Sequence, residues 1–295
     1  MGTTLQLVTR VGSRNLHYPD MSRSEHQPPK PWDQLFDNLF ARHEERTSIE
    51  RISEGLRALV SNASRLLEDV KSLQRTARYS SAAFLLTTAD EEMAKCYILL
   101  DMCRLDFSRH QSVLKRLCRA FYNHVAKYTY MDLVRNSDIY RSMDQVKYNW
   151  DVQVIKWWPG DVERGEPDMP HDTYFGREMP LYVDFIDVDQ RWSIPNNDSD
   201  KNYFFEEFLG ESKLTKSEAS FLKLKATQDA GLLGVDALTE LHEVFKNQYC
   251  NESTSTETIL RLYEDTATRI KNKSGIPVDV FYKSVLEEWP LYHFA

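Results

Sequence analysis

The segment Arg119-Ala-Phe-Tyr-Asn-His-Val-Ala-Lys127 gathers the residue types that phosphodiester chemistry needs. A histidine moves protons near neutral pH, while arginine and lysine stabilise charge building on a pentavalent phosphate. RNA brings its own nucleophile, the 2′-hydroxyl, so the chemistry calls for no metal, no cofactor and no protein nucleophile. On one continuous helix Arg119, Asn123 and Lys127 fall at i, i+4 and i+8 and make one polar line. His124 then sits about 100° round from Asn123, within reach of a long arginine side chain. The competing interpretation is a solvated basic helix face with an incidental histidine, because Arg-x4-His is a short pattern.

Arg104-Leu-Asp-Phe-Ser-Arg-His110 offers a second Arg/His pair, ranked behind the first because it falls where a helix should end. Arg116 lies one turn before Arg119 and adds to the phosphate-binding set. Glu91, Glu92 and Lys95 interrupt the most apolar stretch of the chain. Charges there need partners or water, so they mark a cleft or an interface unless Glu91 and Lys95 are merely an i,i+4 surface pair. Asp184, Asp187 and Asp189 read as an acidic strand face and not as a metal site. The chain has no GxGxxG, Walker loop, HExxH or GxSxG.

Helical periodicity must position these residues. Ile52, Leu56, Leu59, Val60, Leu66, Leu67, Val70 and Leu73 recur at three- and four-residue spacing, interrupted by Gly55. Ser80–Phe107 is apolar around much of its circumference and belongs at the centre of a bundle. A third helix is expected over Ser112–Arg135 and a fourth over Ser137–Trp150. After Trp150 a Pro/Gly/Asp-rich loop leads to Leu181–Val188, which alternates like a strand and turns at Asp189-Gln190 into Arg191–Ile194. Helical patterning returns at Tyr203–Leu209, at the Thr215-Lys-Ser-Glu218 capping box, and over Asp236–Tyr249, Glu257–Lys273 and Pro277–Trp289. The expected fold is mainly α, a helical bundle with a small β-hairpin insertion and additional C-terminal helices. Its segments are an irregular lead-in (1–31), a helical core (32–150), an acidic loop and hairpin (151–200) and a C-terminal helical region packed on the core (201–295).

The 295 residues carry a formal net charge of −8, which taken whole argues against nucleic acid as a partner. By segment the sign changes. Residues 1–150 hold 22 Lys/Arg against 18 Asp/Glu, 151–200 hold 4 against 12, and 201–295 hold 11 against 15. Arg104–Lys127 alone has six basic residues and one acid. The four cysteines, Cys96, Cys103, Cys118 and Cys250, show no CxxC pair, which fits a reducing, cytoplasmic setting. No apolar run approaches the ~20 residues that span a bilayer, and no membrane partner is expected.

Three separated pieces together resemble a known family. Arg78–Lys95 is an Ala-rich helix ending in Glu-Glu-x-x-Lys, Phe121–Lys127 contains His-x-x-Lys, and Leu181-Tyr-Val-Asp-Phe precedes Trp192 and Pro195. Over roughly residues 50–225 this resembles the AbiV-like abortive-infection proteins of the HEPN superfamily. The resemblance implies an HEPN bundle, a homodimer with an Arg/His pair from each chain near the two-fold axis, and metal-independent endoribonuclease activity in phage defence. It places Arg119 and His124 at the motif's Arg and His, and Glu92 and Lys95 at its second-helix polar positions. Two positions depart from the family pattern: Ala94 replaces a frequent Gly, and Ala120 a frequent polar residue. The expected partners are an RNA substrate, a second copy of the chain and a phage-encoded trigger. The alternative is a non-catalytic HEPN module that binds a phage or host protein, or the neutralising partner of a toxin.

Overall fold

The computed structural model describes residues 30–41, 43–137, 140–154 and 211–295, with the backbone of four short strands between 157 and 193. Helix α1 (Pro31–Phe36) continues into a π-helical turn (Asp37–Ala41), and α2 spans Glu45–Arg75. It is followed by α3 (Tyr79–Cys103), α4 (Gln111–Tyr122), α5 (His124–Arg135) and α6 (Met143–Gln153). The C-terminal part contains α7 (Glu211–Asp229), α8 (Val235–Phe245), α9 (Thr256–Ser274), α10 (Val278–Phe281) and a 3-10 turn, Val285–Glu287.

The chain is mainly helical. Its β structure consists of two antiparallel ladders: β1 (Trp157–Trp158) with β2 (Met169–Pro170), and β3 (Asp184–Ile186) with β4 (Arg191–Ser193). The β3–β4 register pairs Asp184 with Ser193, Phe185 with Trp192 and Ile186 with Arg191. A full hairpin over Leu181–Ile194 is not seen among the described residues, and a three-residue ladder is too short to count as a layer of the fold. The lead-in 1–29, the Asp189-Gln190 turn and the Tyr203–Leu209 segment lie outside the described residues.

Helices α2 and α3 form a long antiparallel hairpin. Ile49, Ile52, Leu56, Val60, Ala63, Leu67 and Val70 bury one face of α2 at helical spacing. Gly55 lets the two backbones approach, since a Cβ there would lie 3.2 Å from Leu99 Cδ1. The hairpin turns through Ala77 at φ 56°, with Arg78 N–H returning to Leu73 C=O at 2.9 Å, a helix-terminating geometry usually given to glycine. From Ala89 to Cys103, α3 is buried on nearly every side, so it is the axis around which the other helices pack.

Several expected boundaries shift, and the helix expected over Ser137–Trp150 runs instead from Met143 to Gln153. The helix expected over Ser112–Arg135 is broken at Asn123, whose extended backbone (φ −95°, ψ 122°) ends α4 and caps α5. The Thr215–Glu218 capping box lies inside α7 and starts nothing; Ser217 Oγ donates instead to Lys213 C=O at 3.0 Å. The helix expected over Pro277–Trp289 stops at Phe281, because the chain then threads Leu286, Leu291 and Tyr292 into the core.

That closing segment is tied to α3 through buried polar groups. Asp101 accepts from Leu291 N–H at 2.8 Å, from Tyr130 Oη at 3.0 Å and from Arg104 at 2.7 Å. Arg104 also donates to Leu286 C=O at 2.9 Å.

Candidate functional site

Asp90, Glu91 and Glu92 are consecutive in α3. Successive helix positions turn by about 100°, so the three carboxylates fan out toward three different neighbours. Asp90 pairs with Arg135 of α5, which also donates to Ser217 of α7 at 2.8 Å. Glu92 accepts from Lys95 at 2.5 Å and from Asn62 of α2 at 3.0 Å. Lys95 lies 5.2 Å from the centre of the Phe121 ring. Glu91 faces α5, where Oε1 is 2.7 Å from His124 Nδ1 and Oε2 accepts from Lys127 Nζ at 2.7 Å.

This arrangement corrects two expectations. Lys95 bonds to Glu92 and not to Glu91, so the i,i+4 surface pair does not form. Glu92, which the resemblance places at a second-helix polar position, faces Lys95 and Asn62, and the carboxylate that reaches α5 is Glu91, one residue earlier. The cause is rotational: of the two glutamates, only Glu91 sits on the side of α3 that α5 crosses. Asp90, Arg135 and Asn62 are members of the polar layer that sequence reasoning missed. Three adjacent acids inside an apolar helix were the available signal.

The break at Asn123 changes the basic line as well. Asn123 Oδ1 accepts from Ala126 N–H at 3.1 Å, satisfying one of the orphan donors of the first turn of α5. Arg119, Asn123 and Lys127 therefore do not lie along one helix, and Asn123 is a helix cap. Lys127 is buried against Glu91, with only 5% of its side chain exposed, so it supports the cluster from within. His124 opens α5, and its ring is 34% exposed. Glu91 Oε1 lies against Nδ1 and so fixes which imidazole nitrogen faces the interior.

Arg119 is exposed in the last turn of α4, where the negative end of that helix favours a cation. It has no hydrogen-bond or ion-pair partner among the described residues. Arg116 is committed to the C-terminal segment, donating to Ala295 O at 2.9 Å and His293 O at 3.3 Å. Both arginines line an open groove of about 460 Å3, with Asn123, Val125, Trp150 and Phe294 among its other walls. His124 does not line this groove.

The second-ranked pair is not brought together. Arg104 is buried, bound to Asp101 and stacked 5.6 Å from the Phe245 ring centre. His110 accepts from Asp106 N–H at 3.2 Å through Nδ1 and lies against Tyr249. Burial, opposed by the Asp106 carboxylate, lowers its pKa below the ordinary histidine value. The strongly basic Arg104–Lys127 stretch is thus not one surface. Arg104 and Lys127 are neutralised inside and Arg109 pairs with Asp106, leaving Lys115, Arg116 and Arg119 around α4. Among the described residues no cluster of His, Cys, Asp and Glu could hold a metal ion, and no helix is long and apolar enough to cross a membrane.

This mainly helical bundle is consistent with an HEPN fold. The HEPN family model described as AbiV matches residues 51–208, more than half of the chain and a span that includes Glu91, Arg119, His124 and Lys127. The chain belongs to the AbiV family of abortive-infection HEPN proteins. No curated protein and no solved structure matches it.

Proposed function

We propose that this protein is an abortive-infection endoribonuclease that cuts RNA through the 2′-hydroxyl and so arrests translation and growth. It acts in the cytoplasm as a symmetric dimer, with a phage-encoded protein as its trigger. The observation that carries this reading is the double grip of Glu91 on His124 and Lys127, which follow Arg119 by five and eight residues in the chain. HEPN domains are generally ribonucleases, and this chain supplies a histidine held by Glu91 and an arginine, Arg119, with no hydrogen-bond or ion-pair partner among the described residues.

In the reaction the 2′-oxygen forms a bond to phosphorus and the bond to the 5′-oxygen breaks. His124 takes the 2′-hydroxyl proton or supplies one to the leaving 5′-oxygen, and the His124 of the second copy fills the other role. Arg119 neutralises the charge of the phosphorane. Glu91 orients the imidazole and Lys127 holds Glu91; both are positioning residues. The products are a 2′,3′-cyclic phosphate and a 5′-hydroxyl.

Purified protein should therefore cut RNA in the presence of EDTA and leave cyclic phosphate ends. His124→Ala should lower cutting by about 100-fold or more and abolish growth arrest. A folded His124→Ala protein that stays toxic would sink the proposal.

One observation favours a second reading. The groove that Arg119 lines excludes His124, as expected if Arg119 belongs to a recognition surface for a phage or host protein or for a toxin. In that case Arg119→Ala removes protection while His124→Ala leaves it intact.

A further inference from the structure

The closing segment changes character at His293. Leu291 and Tyr292 are buried and bonded inside the fold: Leu291 N–H donates to Asp101 at 2.8 Å, and Tyr292 Oη accepts from Cys250 N–H at 2.8 Å. His293, Phe294 and Ala295 are half-buried and are held by three side-chain attachments. Arg116 Nε and Nη2 donate to Ala295 O at 2.9 Å and to His293 O at 3.3 Å. His293 Nε2 lies 2.5 Å from Glu252 Oε2, and its Nδ1 lies 3.1 Å from Tyr249 Oη. The ring centre of Phe294 is 6.4 Å from that of Trp150.

We infer that His293–Ala295 is an autoinhibitory strap, which occupies Arg116 and frees it when the contacts of His293 open. Nε and one terminal nitrogen form the edge of a guanidinium that grips an oxyanion through two parallel bonds. On Arg116 that edge is filled by two carbonyl oxygens of the strap. Arg119, one turn later, has no partner among the described residues, so α4 presents one occupied guanidinium and one open. A carbonyl carries no charge, so an anion competes well for Arg116 once the strap is loose. The strap is lightly held. His293 and Glu252 are 29% and 40% exposed, and pairs so solvated contribute little. Because Leu291 and Tyr292 anchor the chain in the core, the three residues after them can detach while the bundle stays folded. Phe294 and Ala295 also wall the groove beside Arg119, so release widens that groove in the same step. What is inhibited rests on the ribonuclease reading; the occupancy of Arg116 does not.

Phenylglyoxal, which modifies accessible guanidinium groups, reads that occupancy directly when the full chain is treated and its peptides are weighed by mass spectrometry. In the wild type Arg119 should react faster than Arg116. His293→Ala and Glu252→Gln should each speed the modification of Arg116 about fivefold and leave Arg119 unchanged. Glu252→Gln keeps the histidine in place and the test valid if His293→Ala fails to fold. Both variants should raise RNA cutting in the absence of a trigger by a similar factor, and adding Arg116→Ala should cancel the rise. Modification of Arg116 at the wild-type rate in both variants would overturn the strap. Faster modification with RNA cutting present but unchanged would overturn its inhibitory role. Faster modification while no form of the protein cuts RNA would instead overturn the ribonuclease reading and leave the strap as a releasable cover on Arg116.

Discussion

Glu91 Oε1 and His124 Nδ1 lie 2.7 Å apart, joining the middle of the central helix to the first residue of α5. The other carboxylate oxygen of Glu91 holds Lys127 one turn later, so a single side chain sets both the start and the rotation of α5. Glu91→Ala should cost about 3–5 kcal/mol of stability, because it removes the carboxylate paired with the buried Lys127 ammonium. Glu91→Gln keeps the shape and should cost less, about 1–3 kcal/mol. Chemical denaturation measures both, and in Glu91→Gln any RNA cutting should show a shifted pH profile, since the imidazole loses its charged partner.

Asn123 separates a capping role from a phosphate-binding one. Asn123→Ala should lose about 1 kcal/mol, and Asn123→Asp or Asn123→Ser should restore it. If Asn123 touched phosphate, Asn123→Asp would instead be the most damaging of the three in an RNA-binding measurement.

Arg104 should behave as a structural residue despite its place in an Arg/His motif. Arg104→Ala leaves Asp101 buried with one fewer donor and should destabilise the fold by about 3–5 kcal/mol. His110→Ala should leave RNA cutting unchanged, and loss of cutting in that folded variant would reinstate the second-ranked pair.

Glu287 is half-buried, and desolvation raises its pKa to about 7 against the opposing pull of Lys223. The unfolded chain ionises this carboxyl near the ordinary value while the native state keeps the proton. Between those two values the unfolded state binds fewer protons, so stability falls as pH rises toward 7. Glu287→Gln should remove that slope and stabilise the protein at pH 8 by on the order of 1 kcal/mol after solvent screening, with little effect near pH 4. Thermal melts at the two pH values test it.

Much of the bundle was legible because apolar spacing is a direct record of burial. The periodicity from Ile52 to Leu73 marks α2, and the all-round apolarity after Ser80 marks α3 as central. The break at Asn123 was hidden because α4 and α5 both bury apolar residues on either side of it, Leu117 and Cys118 before, Val125 and Met131 after. A periodic pattern does not register a change of axis; an asparagine as N-cap was the only local sign. The choice between Glu91 and Glu92 was not legible at all, since it depends on which side of α3 the later helix crosses. The C-terminal segment misled for the opposite reason. Val285, Leu286, Leu291 and Tyr292 are buried by threading, and the apolar spacing between Pro277 and Trp289 imitates a helix.

The bonds from Asp101 to Leu291 and from Arg104 to Leu286 also bear on when the bundle can close. During synthesis, α3 leaves the ribosome well before the residues that satisfy its buried charges. Until those residues emerge, Asp101 and Arg104 lack two of their partners, and the central helix cannot settle into its final packing. An activity of the kind proposed above would in this way be withheld while the chain is being made.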